Sequence, residues 1–291
     1  MDAPSPGRIY DRAVTSARAA FDAGRTRNPV WRSAQLAGLI RLIDEHEDDI
    51  AAALGRDLGK PRAEALTAEA WLVRAEARDT ARAFHRWARP RRVGTPLSLF
   101  PGTARVVPEP RGVALIMGAW NYPFLLTLAP LIGAIGAGCA AVVKPSEQAP
   151  ATADLLAELL PRYLDPEAVQ VVQGDADGAA RLLEKRFDLI LYTGGARVGR
   201  LVMAAAARHL TPVILELGGK SPALVHDSAD FAEAARRIAW GKSLNAGQTC
   251  TAPDYVLVPR DRTDAFLAAY RAALARFHGG DAATSPDYGR I

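Results

Sequence analysis

Residues able to do chemistry sit at the breaks between apolar runs. Cys250 closes the stretch N-A-G-Q-T-C, and the chain has one other cysteine, Cys139. Cys139, in G-A-G-C-A-A-V-V, fits a small buried hydrophobe. Cys250 fits that reading poorly, because Gln248 and Thr249 precede it and Thr251 follows. As a nucleophile it would act as thiolate. Only His278 follows it, and no cysteine-protease signature surrounds it, so activation would come from backbone donors or a bound cationic group. Glu216 lies 34 positions earlier, at the end of the apolar run P-V-I-L-E-L and directly before Leu217, Gly218 and Gly219. A carboxylate there must be hydrated, paired or protonated. A desolvated one has a raised pKa, which suits a general base, whereas one at a strand edge points to solvent.

Three further groups follow other apolar runs. Asn121, in M-G-A-W-N-Y-P, offers a side-chain amide to a developing oxyanion; the same residue type also suits turn geometry. V-V-K-P-S-E-Q sets Lys144, Ser146 and Glu147 after a strand. The chain has five lysines against thirty-one arginines, so a lysine here is either a compact donor to hydroxyls or a surface cation beside a proline turn. In Y-T-G-G-A-R-V-G-R, Gly194, Gly195 and Gly199 lie between a strand and a helix. Glycines there let a backbone approach phosphate at a helix N-terminus, or form a tight turn. The run is neither a P-loop nor G-x-G-x-x-G.

The elements that must position these residues follow from periodicity. Helical spacing fills the first ninety or so residues, including Leu36, Leu39, Ile40, Ile43, Ile50 and Leu54, and the charges between read as solvated faces. One helical segment starts after Pro61 and stops before Pro90. Beyond Pro90, short apolar strands alternate with helices, the signature of a parallel α/β sheet. Ligands of such sheets bind beyond the carboxyl ends of the strands, where the residues above are found. After Glu216 come a strand, a helix, the cysteine loop, the strand D-Y-V-L-V-P and a helix. The expectation is a Rossmann-like parallel sheet domain with N-terminal helices over 1–215, then the beginning of a second α/β domain over 216–291.

Composition narrows the class. Hydrophobic residues make up 49% and charged residues 23%, ordinary for a soluble globular chain. The net charge of +4 comes from scattered arginines with no interleaved aromatics, which disfavours nucleic-acid binding. Two distant cysteines imply no disulfide framework, in keeping with a cytoplasmic setting. The five histidines show no metal-ligand spacing, and no metal is expected. The N-terminus M-D-A-P-S-P-G-R-I-Y lacks the apolar core of a signal peptide. Val113 to Val143 holds no charged residue, yet G-A-W-N-Y-P and G-A-G-C-A break it. It reads as strand, buried helix and strand rather than a membrane span.

Together, L-E-L-G-G-K-S-P followed by N-A-G-Q-T-C, with G-A-W-N-Y-P-F, V-V-K-P-S-E and Y-T-G-G-A-R-V-G in order, resemble the aldehyde dehydrogenase superfamily. F-D-A-G-R-T-R, R-R-I-A-W-G-K-S-L-N-A-G-Q-T-C-T-A-P-D-Y-V-L-V and S-P-D-Y-G-R-I resemble its class 3 branch of fatty and aromatic aldehyde dehydrogenases. The resemblance implies oxidation of an aldehyde to a carboxylic acid with NAD or NADP. It makes Cys250 the nucleophile, Asn121 and the Cys250 N–H the oxyanion donors, and Glu216 the base that activates water on the thioester. It assigns cofactor contacts to Trp120, Lys144, Ser146, Glu147, Thr193, Gly194, Gly195, Gly199, Leu217 and Gly218. It implies a medium- or long-chain aliphatic or aromatic aldehyde and a homo-oligomer. Two departures stand out. Gly195 takes the place of a common serine, which predicts weaker cofactor binding, and the family's later segments are not in this chain. A truncated product or half of a split enzyme, binding cofactor without turnover, is the alternative expectation.

Overall fold

The computed structural model describes residues 6–290, so the first five residues of the signal-peptide reading lie outside the described residues. Helices α1 (Pro6–Asp22), α2 (Pro29–Glu45) and α3 (Glu47–Leu58) come first. The long pattern across the last two breaks at His46, whose N–H still bonds back to Leu42. A short helix α4 (Arg62–Ala65), a π-helical turn (Leu66–Ala70) and α5 (Trp71–Trp87) make up the segment between Pro61 and Pro90. Strands β1 (Arg91–Val93) and β2 (Ala104–Val106) then pair antiparallel as a small ribbon.

The central sheet uses β3 (Val113–Met117), β4 (Ala140–Lys144), β5 (Val169–Val171), β6 (Leu189–Thr193) and β7 (Val213–Glu216), in spatial order β5-β4-β3-β6-β7 and all parallel. The crossovers are α6 (Leu125–Ala137), α7 (Pro150–Tyr163), α8 (Ala176–Leu183) and α9 (Ala196–Ala207). Both faces of the sheet are covered at its centre, while one face of the edge strand β7 is exposed. Ile116, Ala141, Val143 and Val169 pack with apolar residues of α2, α3, α5, α6 and α7. Val113, Leu115, Val142 and Ile190 pack on the other face with Tyr10, Ala17, Leu182 and Val202. This two-sided burial explains why β3 and β4 are continuous apolar runs rather than alternating ones. The charge-free run from Val113 to Val143 is therefore β3, α6 and β4, and no helix among the described residues is long and apolar enough to cross a membrane.

Beyond β7, β8 (Pro222–Leu224) and β9 (Tyr255–Leu257) pair in parallel around α10 (Phe231–Ser243), and α11 (Thr263–His278) packs with α10 over Val225, Ala235 and Phe266. The final residues return to the N-terminal helices, where the Arg290 N–H donates to the Leu58 carbonyl at 2.6 Å.

Candidate active site

The register of the sheet lines up its carboxyl ends. Met117 pairs with Lys144 on one side and Tyr192 on the other, and Thr193 pairs with Glu216. The strand order reverses between β3 and β6, which opens a crevice at that edge. A cleft of about 440 Å³ lies there, lined among others by Trp120, Lys144, Ser146, Glu147, Thr193, Gly194 and Gly195. Lys144 is buried, with Nζ donating to Glu147 Oε2 at 2.7 Å. It is thus no surface lysine. Burial pushes the Glu147 carboxyl up, but the Lys144 hydrogen bond, a backbone N–H and the Lys144 charge outweigh it and hold it below its ordinary value.

The glycines play distinct parts. A Cβ on Gly194 would fall 2.2 Å from the Tyr192 hydroxyl, so a larger residue there requires the Tyr192 side chain to move. Gly195 is the N-cap of α9, with φ −80° and ψ 147°, and a Cβ there would meet open space. Gly199 lies behind, where a Cβ would touch Leu217 at 3.2 Å. Leu217 and Gly218 are exposed and do not line the cleft. The cleft accordingly offers an ammonium, a carboxylate, a helix N-terminus and bare backbone, a donor set that fits the ribose and phosphates of a dinucleotide.

A second cluster adjoins it. The Asn121 amide Nδ2 donates to the Gln248 carbonyl at 2.8 Å, and the Asn245 amide donates to the Asn121 carbonyl at 2.6 Å. The Tyr122 hydroxyl meets Thr249 Oγ1 at 2.8 Å; burial pushes the phenol pKa up, against the lowering effect of that bond. The loop before Cys250 runs through left-handed backbone at Asn245 (φ 51°), Ala246 (φ 53°) and Gly247 (φ 79°). A non-glycine residue there is uncommon, and Asn is among the types that tolerate it best. Cys250 is exposed, whereas Cys139 is buried.

Glu216 is exposed too, so hydration meets the cost of its charge. The segment after it runs against the cysteine loop: a Cβ on Gly219 would lie 2.2 Å from the Cys250 carbonyl, and the Ser221 hydroxyl donates to the same oxygen at 3.5 Å. These contacts join Gly219 and Ser221 to the Cys250 backbone, and among the described residues no hydrogen bond joins the Glu216 and Cys250 side chains.

One reading of the sequence needs correction. The charges of the helical region are not all solvated. Lys60 and Glu69 have fully buried side chains and pair at 2.5 Å. Glu69 Oε2 also accepts the N–H groups of Phe124 and Leu125, each at 3.0 Å, and Lys60 Nζ donates to the Asn121 carbonyl at 3.3 Å. Burial pushes the Glu69 carboxyl up, against the pull of Lys60 and the two amides. Glu64 accepts the Asn245 N–H at 2.6 Å. Sequence reasoning missed Lys60, Glu64, Glu69 and Asn245, and the scarcity of lysine was the one signal pointing toward Lys60.

Comparison with known proteins gives concordant matches. The profile of the aldehyde dehydrogenase family matches residues 7–290. Aldehyde dehydrogenase family 3 member H1 of Arabidopsis thaliana is 47% identical over 279 residues, covering 96% of this chain and 58% of its own length. Among solved structures, the substrate-bound state of Staphylococcus aureus AldH superposes with a TM-score of 0.94 at 38% identity, covering 97% of this chain and 62% of that one. A mutant of Pseudomonas syringae aldehyde dehydrogenase C with NAD+ and octanal superposes with a TM-score of 0.83 at 31% identity, covering 94% of this chain and 55% of that one. The chain thus spans a little over half the length of these relatives.

Proposed function

Since the chain belongs to the aldehyde dehydrogenase family, we propose that it carries the nucleotide-binding part and the nucleophile-bearing part, residues 216–291, of an enzyme oxidising aldehydes to carboxylic acids with NAD+ or NADP+. The observation that carries this reading is the Asn121 amide, held 2.8 Å from the Gln248 carbonyl two residues before an exposed Cys250. An amide donor and a thiol thereby share one loop cluster, which is what acyl chemistry at sulfur requires.

Lys144 and Glu147 would hold a ribose, with Ser146 and Thr193 beside them. The α9 N-terminus and the backbone at Gly194 and Gly195 would face the pyrophosphate, and Trp120 would wall the cleft. Gly199, Leu217 and Gly218 would shape the backbone behind it. When bound, the nicotinamide supplies a hydride acceptor. The Cys250 thiolate would add to the aldehyde carbon, and the Asn121 amide and Cys250 N–H would bind the resulting alkoxide. Loss of hydride from that carbon leaves a thioester. Glu216, exposed to water, would take a proton from the water that attacks the thioester, and the thiolate would leave as the acid forms. Medium-chain, long-chain or aromatic aldehydes suit this reading, as do a homo-oligomer and a cytoplasmic setting.

The exposure of Glu216, Leu217 and Gly218 favours one second reading: this chain binds the nucleotide and needs a further polypeptide for turnover. The test incubates the purified chain with octanal and NAD+ or NADP+. Reduced cofactor is expected from the wild type and none from Cys250→Ala. Glu216→Gln is expected to give a single equivalent and then stall, because only thioester hydrolysis is slowed. Nucleotide binding without reduced cofactor, restored by adding the remaining part of a relative, would instead support the second reading.

A further inference from the structure

Asn245 is 1% exposed and forms part of a closed ring of polar groups. Its Nδ2 donates to the Asn121 carbonyl at 2.6 Å and approaches the Gln248 carbonyl at 3.3 Å. The Gln248 carbonyl in turn accepts the Asn121 side-chain amide at 2.8 Å. The amide orientation of Asn245 follows from its partners, since the flipped form would set its oxygen against two carbonyls. The ring is anchored from the N-terminal region at two points, one on α4 and one in the α3–α4 connection. Glu64 accepts the Asn245 N–H, and Lys60 reaches the Asn121 carbonyl. One Asn121 amide hydrogen is thereby committed to Gln248, which leaves the other free and fixes its direction.

We propose that Asn245 is a positioning residue that sets the Asn121 amide relative to Cys250 by bridging the Asn121 turn and the cysteine loop. This rests on the roles proposed above for Asn121 and Cys250. Asn245 acts through those two segments and is not itself a donor to the aldehyde oxygen. Its left-handed φ of 51° gives the test an advantage, because glycine is at ease there. Asn245→Gly removes the bridge without straining the folded backbone, and Asn245→Asp keeps the shape but turns acceptors toward both carbonyls.

The experiment follows iodoacetamide alkylation of Cys250 by intact-protein mass, with increasing octanal and no cofactor, so that protection reports formation of the tetrahedral adduct. Cys139 is 3% exposed and stays unmodified. Asn245→Gly is expected to weaken octanal protection about tenfold, in the direction expected for a displaced oxyanion donor. Alkylation without octanal stays within about twofold of wild type, a split that general loosening of the loop would not produce. Asn245→Asp is expected to lose more. Asn121→Ala is expected to match Asn245→Gly, and the double variant to lose no more than the worse single, because the two act as one unit. Wild-type protection in Asn245→Gly, or a double variant losing the product of both, overturns the positioning role while leaving the aldehyde chemistry standing. Absence of octanal protection in the wild type overturns the aldehyde chemistry, and the positioning role falls with it.

Discussion

Lys60 and Glu69 have no exposed side-chain surface, so neither charge is hydrated and each depends on the other. Glu69 also supplies the acceptor for the first amides of the 124–125 turn, and Lys60 grips the Asn121 carbonyl. Removing one partner leaves an uncompensated buried charge. Lys60→Met should therefore lower the unfolding free energy by about 3–5 kcal/mol in urea denaturation. Lys60→Met combined with Glu69→Gln should recover part of that loss, because glutamine still accepts from Phe124 and Leu125. Glu216, Lys144 and Asn121 could be picked out in sequence because each stands polar at or just after the end of an apolar strand, whereas Cys250, in a loop after a helix, stood out by its polar neighbours. Glu69 did not. Its burial depends on a turn 55 positions away, and in sequence it is one more acid in a helix rich in charge.

At the scale of elements, α9 begins at the mouth of the cleft with an N-cap glycine that makes no side-chain hydrogen bond. A serine there would meet open space and could cap the helix, and its hydroxyl would face the same crevice. Gly195→Ser should raise stability by about 0.5–1 kcal/mol, from reduced unfolded-state freedom and capping together. It should also tighten NAD+ or NADP+ binding by about three- to tenfold, the worth of one hydrogen bond, as read by fluorescence titration. Strands β3 and β4 were legible because two-sided burial makes them nearly uninterrupted apolar runs. The break at His46, the π-helical turn at Leu66–Ala70 and the antiparallel pairing of β2 with β1 were not. Each depends on what packs against it rather than on its own spacing. The left-handed loop before Cys250 was hidden for a related reason, since Ala246, between Asn245 and Gly247, does not advertise such a backbone.

At the scale of the molecule, the central strands β3 and β4 are covered on both faces while the β8–β9 pair is not. Leu224 and Leu257 sit opposite each other in register and are 78% and 51% exposed, with Tyr255 exposed beside them. An apolar stripe of this kind favours association. The chain should show concentration-dependent self-association by light scattering, and Leu224→Ser with Leu257→Ser should reduce it without changing nucleotide affinity. The order of the main sheet has a consequence for synthesis on the ribosome. Its central strand, β3, emerges first; β4 and β5 then add outward on one side, and β6 and β7 on the other. Each newly made strand docks on a free margin, and none has to be wedged between neighbours already paired. Growth ends with the strand bearing Glu216, so the sheet can assemble as fast as translation delivers it, and the carboxylate is the last piece set in place.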